Sequence, residues 1–233
     1  MSDHRVPIHP DELPGALWMR VAHDLRQPTQ SLLLMSHLIA RTESADERGR
    51  IAHHMEDQLV ALQSMLDHIG LLAGFDAGAG SPSKAPCQLP ALVTRATGQL
   101  ADVIRARGAS LEIKIRPAIV TSDSKLLEIA VTGLVLNALE FSTGSRLLLS
   151  SHSRRGEHRI EIEFTGPPMS QRRMSAIFIE LRRPSGGTMP SMLVTGLGFL
   201  SRLARHLGGE LLYETMPDGG QRLALALQKN SSR

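Results

Sequence analysis

WMRVAHDLRQPTQSLLLMSHLI, residues 18–39, decides the architecture of the N-terminal half. Within it Trp18, Val21, Leu25, Pro28, Leu32, Met35 and Ile39 are spaced alternately three and four residues apart. That is a heptad seam, the spacing that keeps one apolar stripe of a helix facing a partner. Pro28 sits inside the pattern and predicts a kink, because it removes a backbone donor and crowds the preceding turn. The polar residues Arg41–Arg48 read as a turn. A second periodic run follows at Ile51, Met55, Leu62, Met65, Ile69 and Leu72, with Gln58 as its polar interruption. Two such helices joined by a short loop form an antiparallel hairpin. Leu33, Leu34, Leu38, Leu59, Val60 and Leu66 widen the stripe beyond what one hairpin buries. A second copy, giving a two-fold four-helix bundle, is the expected cover, in preference to the rest of the chain.

The chain has 233 residues, 42% hydrophobic, 3% aromatic and 21% charged. That supports one or two packed domains and argues against disorder. Twenty-six Lys and Arg against 23 Asp and Glu leave +3, and five Phe and one Tyr offer little to stack on bases. No nucleic-acid partner is expected. The single cysteine, Cys87, excludes an intrachain disulfide and a Cys-rich zinc site, and fits a reducing cytosol. No apolar leader opens the chain, and its longest apolar run, 129–139, contains Asn137 and is too short for a bilayer. A soluble cytoplasmic protein with no membrane partner is expected.

A Gly-, Ala-, Ser- and Pro-rich stretch from Ala73 to Pro90 reads as a linker. Beyond it, helices are expected over 91–107, from cap material at Ser122, Asp123 and Ser124 to about Phe141, over Ser170–Arg183 and over 200–207. Strands are expected over 110–116, 146–150, 158–164, 210–214 and 222–227. The fold class is therefore α + α/β. It comprises a hairpin domain over residues 1–75, a linker over 76–90 and a two-layer α/β domain over 91–233.

With Val21 and Leu25 in the seam, His23 falls outside it and its imidazole faces solvent. Asp24 beside it can hydrogen-bond one ring nitrogen, fixing the tautomer and leaving the other as a nucleophile. Taken alone, a surface histidine is ordinarily only that. His23-Asp24-Leu25-Arg26-Gln27-Pro28, however, resembles the phospho-acceptor box of sensor histidine kinases. Glu128 to Ser142, centred on Asn137, resembles their asparagine box, and Thr195-Gly196-Leu197-Gly198-Phe199-Leu200 their second glycine box. The three motifs stand in family order and cover nearly the whole chain. The resemblance implies a dimeric phosphotransfer bundle followed by a Bergerat-type ATP-binding domain.

The departures from the family pattern bear on function. The first glycine box matches Phe164-Thr165-Gly166-Pro167-Pro168, where Phe164 replaces the adenine-binding Asp and Pro168 the second Gly. Losing a charged acceptor weakens binding by about 1.5–3 kcal/mol. Gly133 replaces the earlier Asn, and Glu140 replaces the basic residue that faces the phosphates, reversing the attraction there unless it turns to Mg²⁺ or to water. Asn137, Gly166, Gly196 and Gly198 remain as vestigial nucleotide-binding residues, with Asn137 the Mg²⁺ position if Mg-ATP binds.

The resemblance and its departures together imply a histidine phosphotransferase of a phosphorelay. His23 accepts a phosphoryl group from a response-regulator receiver domain and passes it to another. Asp24 orients His23, Arg26 meets the acidic rim of the receiver, and the receiver brings its own Mg²⁺, so no resident cofactor is required. Almost nothing precedes the hairpin, which fits a protein with no sensor domain of its own. Two alternatives stand beside this reading: an ATP-dependent kinase with an atypical pocket using Mg-ATP, and a non-catalytic scaffold that binds receivers. Gln27 stands where family members position a water that dephosphorylates the receiver, or else it only solvates the kinked turn. His53, His54 and Asp57 are a solvated face rather than a metal site.

Overall fold

The computed structural model describes residues 6–8, 14–76, 82–154, 156–181 and 192–228. A short strand, β1 (Val6–Pro7), precedes two long helices, α1 (Pro14–Arg41) and α2 (Ala45–Asp76). α1 continues through Pro28, whose ring is buried. The expected turn at 41–48 shrinks to residues 42–44, because Asp46 and Glu47 suit the positive end of a helix and open α2. Ser44 Oγ accepts from the Glu47 N–H at 3.4 Å, and the Arg48 guanidinium donates to the carbonyls of Thr42 and Glu43 at 3.0 and 3.2 Å. The bend is thereby closed by its own side chains.

The expected linker is not one throughout. β2 (Ala85–Gln88) pairs antiparallel with β4 (Ile119–Ser122), burying Cys87, and α3 (Leu89–Gly98) starts at once with Pro90 in its first turn. Residues 77–81 of that stretch lie outside the described residues. The single helix expected over 91–107 is two, α3 and α4 (Ala101–Ala106), broken at Gln99-Leu100 just after Gly98. β3 (Ser110–Lys114) follows, then β4 and α5 (Ser124–Phe141), capped by Asp123 out of the three candidates, its carboxylate accepting from the Lys125 and Leu126 N–H groups at 3.1 Å.

β5 (Arg146–Arg154) and β6 (Glu157–Phe164) come next. The helix expected over 170–183 is reduced to α6 (Gln171–Met174), and its last two residues lie outside the described residues. The β-branched and aromatic run after Ala176 enters β7 (Phe178–Leu181), which pairs with β8 (Met192–Thr195). α7 (Leu197–His206), β9 (Gly209–Thr215) and β10 (Gln221–Gln228) complete the domain.

The main sheet runs β1-β9-β10-β6-β5-β3, antiparallel except between β3 and β5. One face carries Leu147, Leu149, Ile160, Ile162, Leu223 and Leu225, all fully buried in the same core as the apolar residues of α3, α5 and α7. Each such side chain contributes about 1.5–3 kcal/mol. The opposite face is charged: Arg222 meets Glu163 at 2.7 Å and Glu214 at 3.0 Å. This alternation gives the α/β domain two layers, with the helices on one side of the sheet.

The hairpin divides lengthwise. Towards its C-terminus α2 packs on the α/β domain through Met65 and Leu72, which are 1% exposed, and through two aromatic pairs with α7. His68 meets the Phe199 ring edge-on at 5.0 Å, and Phe75 stacks on His206 at 4.0 Å. Elsewhere Leu33, Leu34, Leu38, Leu59, Val60 and Leu66 are all exposed. Among the described residues none covers the stripe. β1 ties the start of the chain to the same domain: Val6 opposes Tyr213, and the Ile8 N–H donates to the Leu211 carbonyl at 2.9 Å.

Candidate functional site

Burial of Val21 in the seam turns His23 outward, and its side chain is 74% exposed. His23 Nδ1 lies 3.2 Å from Asp24 Oδ1. A carboxylate only accepts, so this contact keeps the ring proton on Nδ1 and directs the lone pair of Nε2 to solvent. Arg26 and Gln27 are exposed on the same helix, three and four residues on, and so share the face of His23. The sequence-predicted group His23, Asp24, Arg26 and Gln27 is thus one contiguous, accessible surface.

The remaining site residues are elsewhere and inward. Asn137 on α5 is fully buried, and its amide donates to the carbonyls of Gly133 at 2.7 Å and Thr195 at 2.8 Å. It ties α5 to the end of β8, while its Oδ1 is buried without a hydrogen-bond partner. The glycine box packs against residues 175–177. The Gly196 N–H donates to the Ile177 carbonyl at 2.6 Å and the Gly198 N–H to the Ala176 carbonyl at 2.8 Å. A Cβ on Gly196 would stand 2.4 Å from the Ala176 oxygen, and one on Gly198 2.6 Å from that of Ser175. Both glycines are needed for this backbone approach within the chain. Gly166 has the same kind of reason, since a Cβ there would meet the Phe141 carbonyl at 2.5 Å.

Phe164 is buried in the sheet opposite Leu147 and Gln221. Thr165 is exposed, and its carbonyl accepts from the Thr143 N–H at 2.8 Å. The expectation that Glu140 repels phosphates, recruits Mg²⁺ or turns to water is corrected: it pairs with Arg107 at 2.5 Å, both side chains largely buried. Arg107 lies 33 residues back at the end of α4, where nothing in the sequence announced a partner.

A magnesium nucleotide is the ligand the resemblance implies for this region. As the described residues are placed, it does not fit. Two N–H groups of the glycine box already serve carbonyls of the chain, the Asn137 amide is committed to two more, and Phe164, where the resemblance expects the adenine acceptor, is a buried apolar side chain. His53 is exposed, with Asp57 Oδ2 at 3.8 Å and Glu56 Oε2 at 4.0 Å, and no three-residue His, Cys, Asp or Glu group suited to a metal occurs among the described residues. No described helix is long and apolar enough to cross a membrane.

No family model matches the chain. It is 25% identical over 223 residues to the sensor protein TorS of Escherichia coli K12, covering 91% of this chain and 24% of TorS. The chain thus spans about a quarter of the length of the curated relatives it matches. Among solved structures, the histidine kinase AdeS of Acinetobacter baumannii superposes with a TM-score of 0.73 at 17% identity, over 90% of this chain and 98% of that one. The histidine kinase ThkA, solved in complex with the response regulator TrrA, does so with a TM-score of 0.63 at 17% identity, over 94% and 63%. Along nine-tenths of its length and by fold, the chain is similar to the core of sensor histidine kinases, a helical hairpin, here bearing His23, followed by an α/β domain of the ATPase fold.

Proposed function

We propose that the protein is a dimeric histidine phosphotransferase, loaded on His23 from the phospho-aspartate of a receiver domain rather than from ATP. The observation that carries this reading is the closed glycine box, whose N–H groups bond to the Ile177 and Ala176 carbonyls while His23 stays open to solvent. In the forward step the Nε2 lone pair of His23 attacks the phosphorus of the acyl phosphate. The P–O bond to the aspartate breaks, its electron pair leaves with the carboxylate, and the Nδ1 proton stays on the imidazole against Asp24. The return step runs the same way: a second receiver's carboxylate attacks phosphorus and the P–N bond gives its pair back to the ring. The chain supplies position and a nucleophile, and the receiver supplies Mg²⁺ and the acidic site.

ThkA, a neighbour by fold, is solved with a response regulator, which supports receivers as the partner class. The six exposed apolar side chains support a second copy completing a four-helix bundle. One observation favours the alternative, an ATP-dependent kinase: Asn137 Oδ1 is a buried acceptor with no partner at the position where the family holds Mg²⁺. The test is incubation with a receiver labelled at its aspartate by a small phosphodonor. Label moving to wild type and not to His23→Gln is expected, and a receiver that keeps its label with both would overturn the proposal.

A further inference from the structure

Where α2 meets the α/β domain, α2, the α3–α4 region, α5 and the ends of β7 and β8 line a solvent-open pocket of about 510 Å³. α2 gives Met65 and His68, the α3–α4 break gives Gln99 and Leu100, α5 gives Lys125 and Thr132, and Phe178 and Thr195 close one end. The volume lies within the range of small-molecule sites and far above the water-sized voids of packed interiors. Met65, Leu100, Leu136 and Phe178 on its wall are buried, so the lining is apolar in its depth.

Its polar groups are specific. The side chains of Gln99, Lys125 and Thr132 make no hydrogen bond or ion pair with a described residue. Glu128 at the same rim is engaged by Arg95 at 3.4 Å, and that guanidinium also reaches Ser124 Oγ. The ammonium of Lys125 is the uncompensated charge of the rim. His68 is held below its ordinary pKa by burial, against the opposing pull of Ser64 and Asp67. Its neutral ring therefore adds a donor and an acceptor without adding charge. The wall exists because α3 and α4 are two helices where the sequence pattern read as one, and such departures gather at functional sites.

We propose that this cavity binds a small amphipathic anion, its apolar body against Met65, Leu100 and Leu136 and its acidic group at Lys125. The pocket borders the glycine box at Thr195 and the asparagine box at Glu128, Thr132 and Leu136, but Gly196, Gly198 and Asn137 do not line it, and the inference holds whether or not His23 transfers phosphoryl groups. The experiment is a titration of the full chain, labelled with carbon-13 at its methionine methyls, with 2-naphthoate. Met65 lies on the wall, whereas Met35 and Met55 on the hairpin and Met169 in the α/β core do not line it. Saturable movement of the Met65 signal alone is expected, with neutral 2-naphthylmethanol and Lys125→Gln each weakening binding about tenfold. Leu100→Trp, which fills the space, is expected to abolish it, with an unmoved Met169 signal confirming the fold. A static Met65 signal to about 5 mM, shifts shared equally by Met35 and Met55, or an unchanged affinity in Lys125→Gln would each overturn the proposal.

Discussion

Gly198 has no Cβ, and the Ser175 carbonyl oxygen stands 2.6 Å from where one would be. Gly198→Ala is therefore expected to lower the stability of the folded chain by about 1–3 kcal/mol, the usual cost of overpacking against backbone. Urea denaturation checks this. An unchanged midpoint would mean that the glycine serves no contact inside the fold. In the proposed mechanism Asp24 works through the ring it contacts, 3.2 Å from His23 Nδ1. Asp24→Asn keeps the shape and loses the charge, and is expected to slow transfer from a phosphorylated receiver about tenfold to hundredfold with little change in thermal stability. A quench-flow time course of label on His23 decides it, and an unaltered rate would remove Asp24 from the mechanism.

At the scale of elements, α2 does two jobs along its length. The proposed dimer places a second copy on the exposed stripe, so Leu34→Asp with Val60→Asp is expected to give a monomer by light scattering while the far-ultraviolet circular dichroism keeps its helical signal. A dimer surviving both changes would break the bundle argument. Nearer its C-terminus, His68 packs on Phe199 and is kept below its ordinary value of 6.5 by burial. The unfolded chain then binds that proton more readily than the folded one. The stability this group contributes is full above about 6.5 and is lost as the pH falls towards the depressed folded value. Thermal melts across that window should fall more steeply with acid for wild type than for His68→Leu, and equal slopes would contradict the assignment.

The same elements show what a sequence can and cannot disclose. The heptad spacing revealed the hairpin and the outward turn of His23, because a 3.5-residue period fixes which side of a helix faces its partner. Asp123 disclosed the start of α5 through cap chemistry that is local to two residues. β1, β2, β4, β7 and β8 were missed. They are two to four residues long, two of them contain proline, and β1 and β2 pair with strands more than 30 residues along the chain. The Glu140–Arg107 pair spans 33 residues, and no local pattern encodes such a contact. The three motifs located the candidate residues, yet whether a glycine faces a ligand or a neighbouring strand is decided by packing that only the fold displays.

At the scale of the whole molecule, the α/β domain is held to the hairpin by α2 against β8 and α7, and β1, at the other end of the hairpin's sequence, lies on its sheet. The Gly196 and Gly198 N–H groups bond to carbonyls within the domain, and His23 lies open to solvent on the hairpin. The central claim is that His23 takes its phosphoryl group from a protein and not from ATP. Incubation of the protein with γ-labelled ATP and Mg²⁺, beside a His23→Ala control, tests that claim most directly. No acid-labile label on either protein is the predicted result, and label on the wild type that is lost in His23→Ala would contradict it.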